Sequence, residues 1–245
     1  MYQFFTDPGN ICGNDIYIEG QDYNHIKNVL RMHIGEEVSV IAADKEYRCE
    51  IAGYEDVRVH LKLRFIKEDN VELPNRIYLF QGLPKSDKME LIIQKAVELG
   101  AYEVIPVQMA RSVVKYDKKK EAAKITRFNG ISEAAAKQSK RRVIPEVKSV
   151  MSFREAVEYS KDMAVKLLPY ELADMDSMDK TRRLLENIMP GQDIAVFIGP
   201  EGGFDESEVS LALQTGYETI TLGRRILRTE TAGMTVLSWL VYLLE

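Results

Sequence analysis

From residue 76 to the end, the chain alternates short aliphatic runs with segments of helical period, and few architectures accommodate that alternation. Strands are expected over 76–80, 102–107, 163–168, 193–198 and 217–222, and helices over 87–99, 118–140, 152–159, 178–187, 206–215 and 231–244. Strands separated by helices pair in parallel, so the expectation is an α/β domain with a largely parallel sheet covered by helices. Two strands break directly into glycine. One leads into Gly199, Pro200, Glu201, Gly202 and Gly203, the other into Gly223, Arg224, Arg225, Ile226, Leu227, Arg228, Thr229, Glu230, Thr231 and Ala232. Open α/β sheets bind ligands at that end of their strands.

Residues 1–71 read differently. Short period-two runs around 16–18, 37–41, 47–51 and 57–63 are bounded by Gly20, Gly35 and Gly53, as in a small antiparallel β-barrel. One helix is expected over 22–32, with Tyr23, Ile26, Val29 and Leu30 on its apolar face. Polar composition and Pro74 place the boundary so that 1–71 form a binding module and 72–245 the larger domain.

Net charge is −5, against a chain that coats nucleic acid indiscriminately, yet 111–148 carry 12 Lys/Arg against 4 Asp/Glu. That local +8 leaves −13 elsewhere and marks either an anion-docking surface or a solvated helical face; its clustering with Gln138 and Ser139 favours docking. Cys12 and Cys49 have no metal or disulfide spacing and read as small apolar residues in a reducing compartment. With no signal sequence, and an apolar stretch at 234–244 too short to cross a bilayer, a soluble cytoplasmic protein with no membrane partner is expected. His25, His33 and His60 have no metal spacing, and no Ser/His/Asp set can be assembled, which disfavours a zinc enzyme or hydrolase.

The five-residue glycine loop is neither a dinucleotide fingerprint nor a P-loop. A strand-to-helix turn explains two glycines; three, with a proline and a glutamate, point to a ligand loop. In the second loop, capping of the last helix explains Thr229 and Thr231. It does not explain three arginines in five positions, whose charge calls for a carboxylate, a phosphate or a nucleobase. Asp87 reads as the cap of its helix, and Lys85 and Lys88 gain interest only if they border the same cleft. Val236, Trp239, Leu240 and Leu243 form a stripe suited to core or to a subunit contact.

Together, Gly199 to Gly203 and Leu222, Gly223, Ile226 to Ala232 resemble the RsmE family of 16S ribosomal RNA methyltransferases in the SPOUT superfamily. The likeness extends to Lys88-Met89-Glu90, to 94–100, to Arg111-Ser112-Val113, to 133–139 and to His25 through Arg31, nearly the whole chain. It implies an N-terminal PUA-like barrel and a C-terminal SPOUT domain with a trefoil knot. It also implies a homodimer that methylates N3 of a uridine in 16S rRNA of the small subunit, using S-adenosyl-L-methionine. Under that reading Leu168, Ile198, Gly199, Pro200, Glu201, Gly202, Leu222, Gly223, Ile226, Leu227, Thr231 and Ala232 hold the cofactor. Arg228 stabilises charge developing on the uracil, and Glu171 or Glu230 serves as base. Lys27, Arg31, Lys85, Lys88, Arg111, Gln138, Lys140, Arg141 and Arg142 are the expected RNA contacts. Gln3 stands where the family often has a basic residue. The alternatives are a non-catalytic RNA-binding or ribosome-assembly factor, and methylation of another RNA position.

Overall fold

The computed structural model describes residues 1–68, 71–85, 87–170 and 178–245. They pack as two compact units, Met1–Glu72 with Ala136–Val143, and Leu73–Ala135 with Ile144–Glu245. The segment 136–143, which pattern alone leaves in the larger domain, thus belongs with the first unit.

In the first unit, β1 (Tyr2–Phe5), β2 (Ile11–Cys12), β3 (Asp15–Glu19), β4 (Glu37–Ala42), β5 (Lys45–Tyr54) and β6 (Arg58–Lys67) form one sheet in the order β1-β4-β5-β6-β3-β2. All neighbours are antiparallel except β1 and β4. Alternate residues such as Ile16, Ile18, Val38, Val40, Cys49, Ile51, Val59 and Leu61 point into one core, the period-two signature of a half-buried sheet. Burial pushes the Cys49 thiol up to about 12, whereas Cys12 is exposed. The expected helix over 22–32 is shorter: α1 (Gly20–Asn24) passes into a wider π-helical turn, His25–Val29, closed by the Leu30 N–H donating to His25 O at 2.8 Å. Widening the turn rotates later side chains off a 3.6-residue face, and Val29 is 65% exposed, not packed beside Ile26.

In the second unit, β7 (Arg76–Gly82), β8 (Ala101–Gln108), β9 (Glu146–Val147), β10 (Met151–Ser152), β11 (Val165–Pro169), β12 (Asp193–Ile198) and β13 (Glu218–Ile220) form a parallel sheet. Its order is β10-β8-β7-β12-β11-β13, with β9 beside β8. The helices are α2 (Lys88–Glu98), α3 (Lys118–Ser139), α4 (Phe153–Tyr159), α5 (Met178–Glu186), α6 (Glu206–Gln214) and α7 (Thr229–Leu244). The expected strands and helices are present with ends shifted by at most two residues. The two-residue strands β9 and β10 were not expected, because two residues carry no periodicity.

β7 and β12 are buried on both faces, which is why they read as continuous apolar runs. Phe80 and Phe197 stack at 4.7 Å between centroids and meet Phe153, Ala156, Val209 and Ala212 of α4 and α6. Burial of such a ring contributes roughly 1.5–3 kcal/mol. Leu79 and Ile198 face the other way, toward Gly233 of α7. No helix among the described residues is long and apolar enough to cross a membrane.

Candidate active site

Parallel pairing brings the carboxyl ends of β7, β8, β11, β12 and β13 to one edge of the sheet, and the two glycine loops leave from there. Gly82 ends β7, and a Cβ on it would lie 2.7 Å from the Pro200 nitrogen and 2.9 Å from Met109 Sδ. Only glycine lets the loop after β12 settle onto the strand end. Gly202 has the same kind of reason: a Cβ there would sit 3.0 Å from Arg111 Cβ and 3.2 Å from its carbonyl oxygen. Its neighbour is thus another protein loop. Arg111 reinforces that contact, donating from Nη1 to Gly202 O at 3.3 Å, with its Nη2 3.7 Å from Asp205. Asp205 and Glu208 form a capping box at the start of α6, and buried Glu208 also accepts from Ala110 N–H at 2.8 Å.

Polar links join the two loops. Thr229 donates its hydroxyl to Gly199 O at 2.6 Å and accepts from Gln81 Nε2 at 2.8 Å. Thr229 therefore ties the ends of β7 and β12 to the start of α7 and does not cap its helix. Arg228 occupies the N-cap position of α7 with no side-chain cap, and Thr231 makes none. Asp87 likewise stands at the N-cap of α2 without a cap hydrogen bond. Gln81 is fully buried, and its Oε1 has no partner among the described residues.

Lys88, at the start of α2, bridges both loops. Its Nζ lies 3.1 Å from Glu201 and 3.3 Å from Glu230, and both oxygens of Glu201 also accept from Lys85 N–H. The Glu201 hydrogen bond, foremost, and that of Glu230 raise the Lys88 pKa against its partial desolvation. For Glu201 desolvation is the largest influence and raises the pKa; hydrogen bonds from its own backbone, Lys88 and Lys85 outweigh it and hold the carboxyl below its ordinary range. Glu201 is thereby committed to Lys88, whereas Glu230 Oε2 has the Lys88 ion pair but no other hydrogen-bond partner among the described residues.

Beyond β13 the Thr221 N–H donates to Thr181 Oγ1 at 3.1 Å, and part of the backbone that follows is free. Gly223 N–H donates to Thr221 Oγ1, and Gly223 adopts a φ of 98°. The N–H groups of Leu222, Ile226 and Leu227 have no acceptor among the described residues. Ile226 is 85% exposed. Together with the buried Gln81 oxygen, which can accept, these free donors above a glycine-built seat are the polar groups that a base and a ribose require.

A family model for an RNA methyltransferase domain matches residues 71–241. This chain belongs to the RNA methyltransferase family. A second model, an RNA methyltransferase PUA domain, matches 18–63 of the methyltransferase. Ribosomal RNA small subunit methyltransferase E of Bacillus subtilis is 37% identical over 230 residues, 93% of this chain and 90% of that protein. Its counterpart in Mesomycoplasma hyopneumoniae is 31% identical, covering 97% and 98%. Among solved structures, ribosomal RNA small subunit methyltransferase E from Neisseria gonorrhoeae, bound to S-adenosyl methionine, matches with a TM-score of 0.82 at 27% identity over 99% and 98%. The fold is the α/β arrangement of SPOUT methyltransferases with a PUA domain at the N-terminus.

Within the methyltransferase, the expected cofactor residues gather at the sheet edge. Ile198 and Pro200 are buried, Leu168 is core beneath the loops, and Gly199, Glu201, Gly202, Leu222, Gly223, Ile226, Leu227, Thr231 and Ala232 line or adjoin them. Arg228 is exposed and Glu230 half-buried, while Glu171 lies outside the described residues. The expected RNA contacts divide. Lys27, Arg31, Lys85, Gln138 and Lys140 are exposed, Lys27 beside Tyr23 at 2.5 Å, and Lys140 donating to Met1 O at 2.9 Å. Lys88 and Arg111 are engaged within the loops.

Arg141 and Arg142 overturn their expectation. Each is 6% exposed. Arg141 is ion-paired with Glu72, whose carboxylate also accepts from Arg142 N–H at 2.8 Å, and Arg142 lies 3.7 Å from Glu46 while donating to Lys67 O. They hold 136–143 against the outer face of the first unit's sheet and have no surface to offer phosphate. Gln3 takes part, donating from Nε2 to Arg141 O at 2.7 Å. Pattern reasoning missed Gln81 and Gly82, although a glutamine and a glycine ending an otherwise apolar strand were visible signals.

Proposed function

We propose that this chain transfers a methyl group from S-adenosyl-L-methionine to N3 of a uridine in 16S rRNA of the small ribosomal subunit. The single observation that carries the reading is the joining of both glycine loops at the parallel-sheet edge, through Thr229 to Gly199 and through Lys88 to Glu201 and Glu230. The relatives named above are ribosomal RNA small subunit methyltransferases, and one was crystallised with S-adenosyl methionine.

When bound, the cofactor supplies a methyl group on a sulfonium, open to in-line attack. The backbone of Ile198 to Gly202, Leu222, Gly223, Ile226 and Leu227, with Leu168 beneath and Thr231 and Ala232 beyond, holds its adenosyl part and fixes the line of attack. Uridine N3 keeps its proton at neutral pH, so charge must be stabilised and the proton removed as the bond forms. Arg228, exposed and with no side-chain partner among the described residues, stabilises the uracil oxygen that gains charge. Glu230, two residues on and oriented by Lys88, accepts the proton; Glu171 is the other candidate. Exposed Lys27, Arg31, Lys85, Gln138 and Lys140 contact RNA phosphates, which position the substrate while the base supplies specificity.

The reading includes the trefoil knot, for which the order β12-β11-β13 is suited, since the chain must step back across β11 to reach β13. It also includes a homodimer, supported by exposed Tyr242 and Leu243 near half-buried Trp239 on α7, and a cytoplasmic location.

The test is calorimetry with S-adenosylmethionine followed by nucleoside analysis of methylated small subunits. Arg228→Ala is expected to keep cofactor affinity and lose about 10²–10³ in kcat. Full turnover in that variant removes Arg228 from the chemistry. A product other than N3-methyluridine moves the reaction to another RNA position.

A further inference from the structure

Three arginines at 224, 225 and 228 occupy five positions of the loop before α7, and all three are exposed. None has a side-chain hydrogen bond or ion pair among the described residues. Elsewhere most guanidinium groups are paired: eight of the twelve other arginines lie within 4.0 Å of a carboxylate, several of them on open surface. The nearest acidic residues in the two loops, Glu201 and Glu230, are held by Lys88. The loop therefore carries three uncompensated charges in a chain whose net charge is −5.

We propose that Arg224 and Arg225, alongside Arg228, clamp RNA backbone phosphates on either side of the reacting base. The inference rests on the proposed RNA substrate and assigns two residues to it that the catalytic reading leaves unused. A guanidinium presents a planar fork of donors matched to phosphate oxygens. The cofactor's single carboxylate occupies at most one such fork, whereas consecutive phosphates of a strand present one charge per nucleotide and take up all three. Both residues flank the free backbone of Ile226 and Leu227, so phosphates held there lie beside the position where the base must enter.

The experiment compares the unaltered full-length protein with Arg224→Gln/Arg225→Gln and with Arg224→Lys/Arg225→Lys. Binding of a 16S rRNA transcript is measured across salt concentration, and S-adenosylmethionine binding by calorimetry. Neutralising two phosphate contacts is expected to make the slope of log affinity against log salt shallower by about 1.4, at ~0.7 per single-strand phosphate. Cofactor affinity stays within about twofold, and the lysine variant recovers most of the slope because a point charge still releases counterions. An unchanged slope overturns the clamp. An unchanged slope with weakened cofactor binding assigns the arginines to the cofactor carboxylate, and one with loss of the dimer in sedimentation assigns them to a second copy. Failure of the unaltered protein to bind RNA overturns both clamp and substrate, while RNA binding with a different methylated atom overturns only the chosen reaction.

Discussion

Arg141-Arg142 and Arg224-Arg225 are the same dipeptide, and the fold uses the two pairs in opposite ways. The first is buried against Glu72 and Glu46 and fastens residues 136–143 to the outer face of the first unit's sheet. The second stands in solvent with no acidic partner among the described residues. The comparison teaches that a basic run in a sequence is not charge available at a surface. Availability depends on whether carboxylates distant in sequence have been folded against it. Glu72 is 69 residues from Arg141, and the carboxylates beside the Arg224 loop are taken by Lys88.

The largest expected effect comes from breaking the buried pair. Arg141→Ala leaves the half-buried Glu72 without its Arg141 partner, which should cost about 3 kcal/mol in urea unfolding, the low end for a buried pair because Glu72 keeps some solvent. Replacing both members, as Arg141→Met with Glu72→Leu, should recover most of that loss, because no uncompensated charge remains. If Arg141→Ala unfolds like the unaltered protein, the pair is not the fastening described.

Lys88→Gln sharpens the other side of the comparison by releasing Glu201 and Glu230. Glu201 has a folded pKa below its ordinary 4.5, so its contribution to stability is present above 4.5 and fades as pH falls through the lowered value. Lys88, raised above 10.5, contributes fully below that value and loses its contribution as pH rises through the raised one. Their link is thus complete between these limits. In Lys88→Gln the Glu201 carboxyl resonance should titrate closer to 4.5, and the released carboxylates should draw Arg224 or Arg225 inward, weakening RNA binding. Titration at the same depressed value would show that Lys85 N–H and the loop backbone suffice. The smallest effect is expected from Arg224→Ala and Arg225→Ala, each within about 0.5 kcal/mol in thermal or urea unfolding, as for surface residues without partners. A larger loss would show that these arginines do pair within the molecule.

The parallel sheet, its helices and the edge where the loops meet were legible because β7 and β12 carry unbroken apolar runs and glycine follows each strand that ends at the site. Local rules suit the Asp205–Glu208 capping box, whose partners are three residues apart. They failed at Thr229 and Asp87, which look like caps: a threonine or aspartate before a helix has the same sequence whether its side chain turns to its own backbone or, as Thr229 does, to a strand 30 residues away.

Sequence alone determined what depends on spacing along the chain: strand and helix periods, the two glycine loops, the resemblance they carry, and the concentration of positive charge. Tertiary structure alone decided what depends on distance through space. It decided that Gly82 and Gly202 exist for contacts with Pro200 and Arg111, that Lys88 joins two loops, and that 136–143 belong with the first unit. It also separated the arginines that hold the protein together from those left free. Electrostatic and packing energies fall off over a few ångströms of space, and residues that close in space can be a hundred positions apart in the chain.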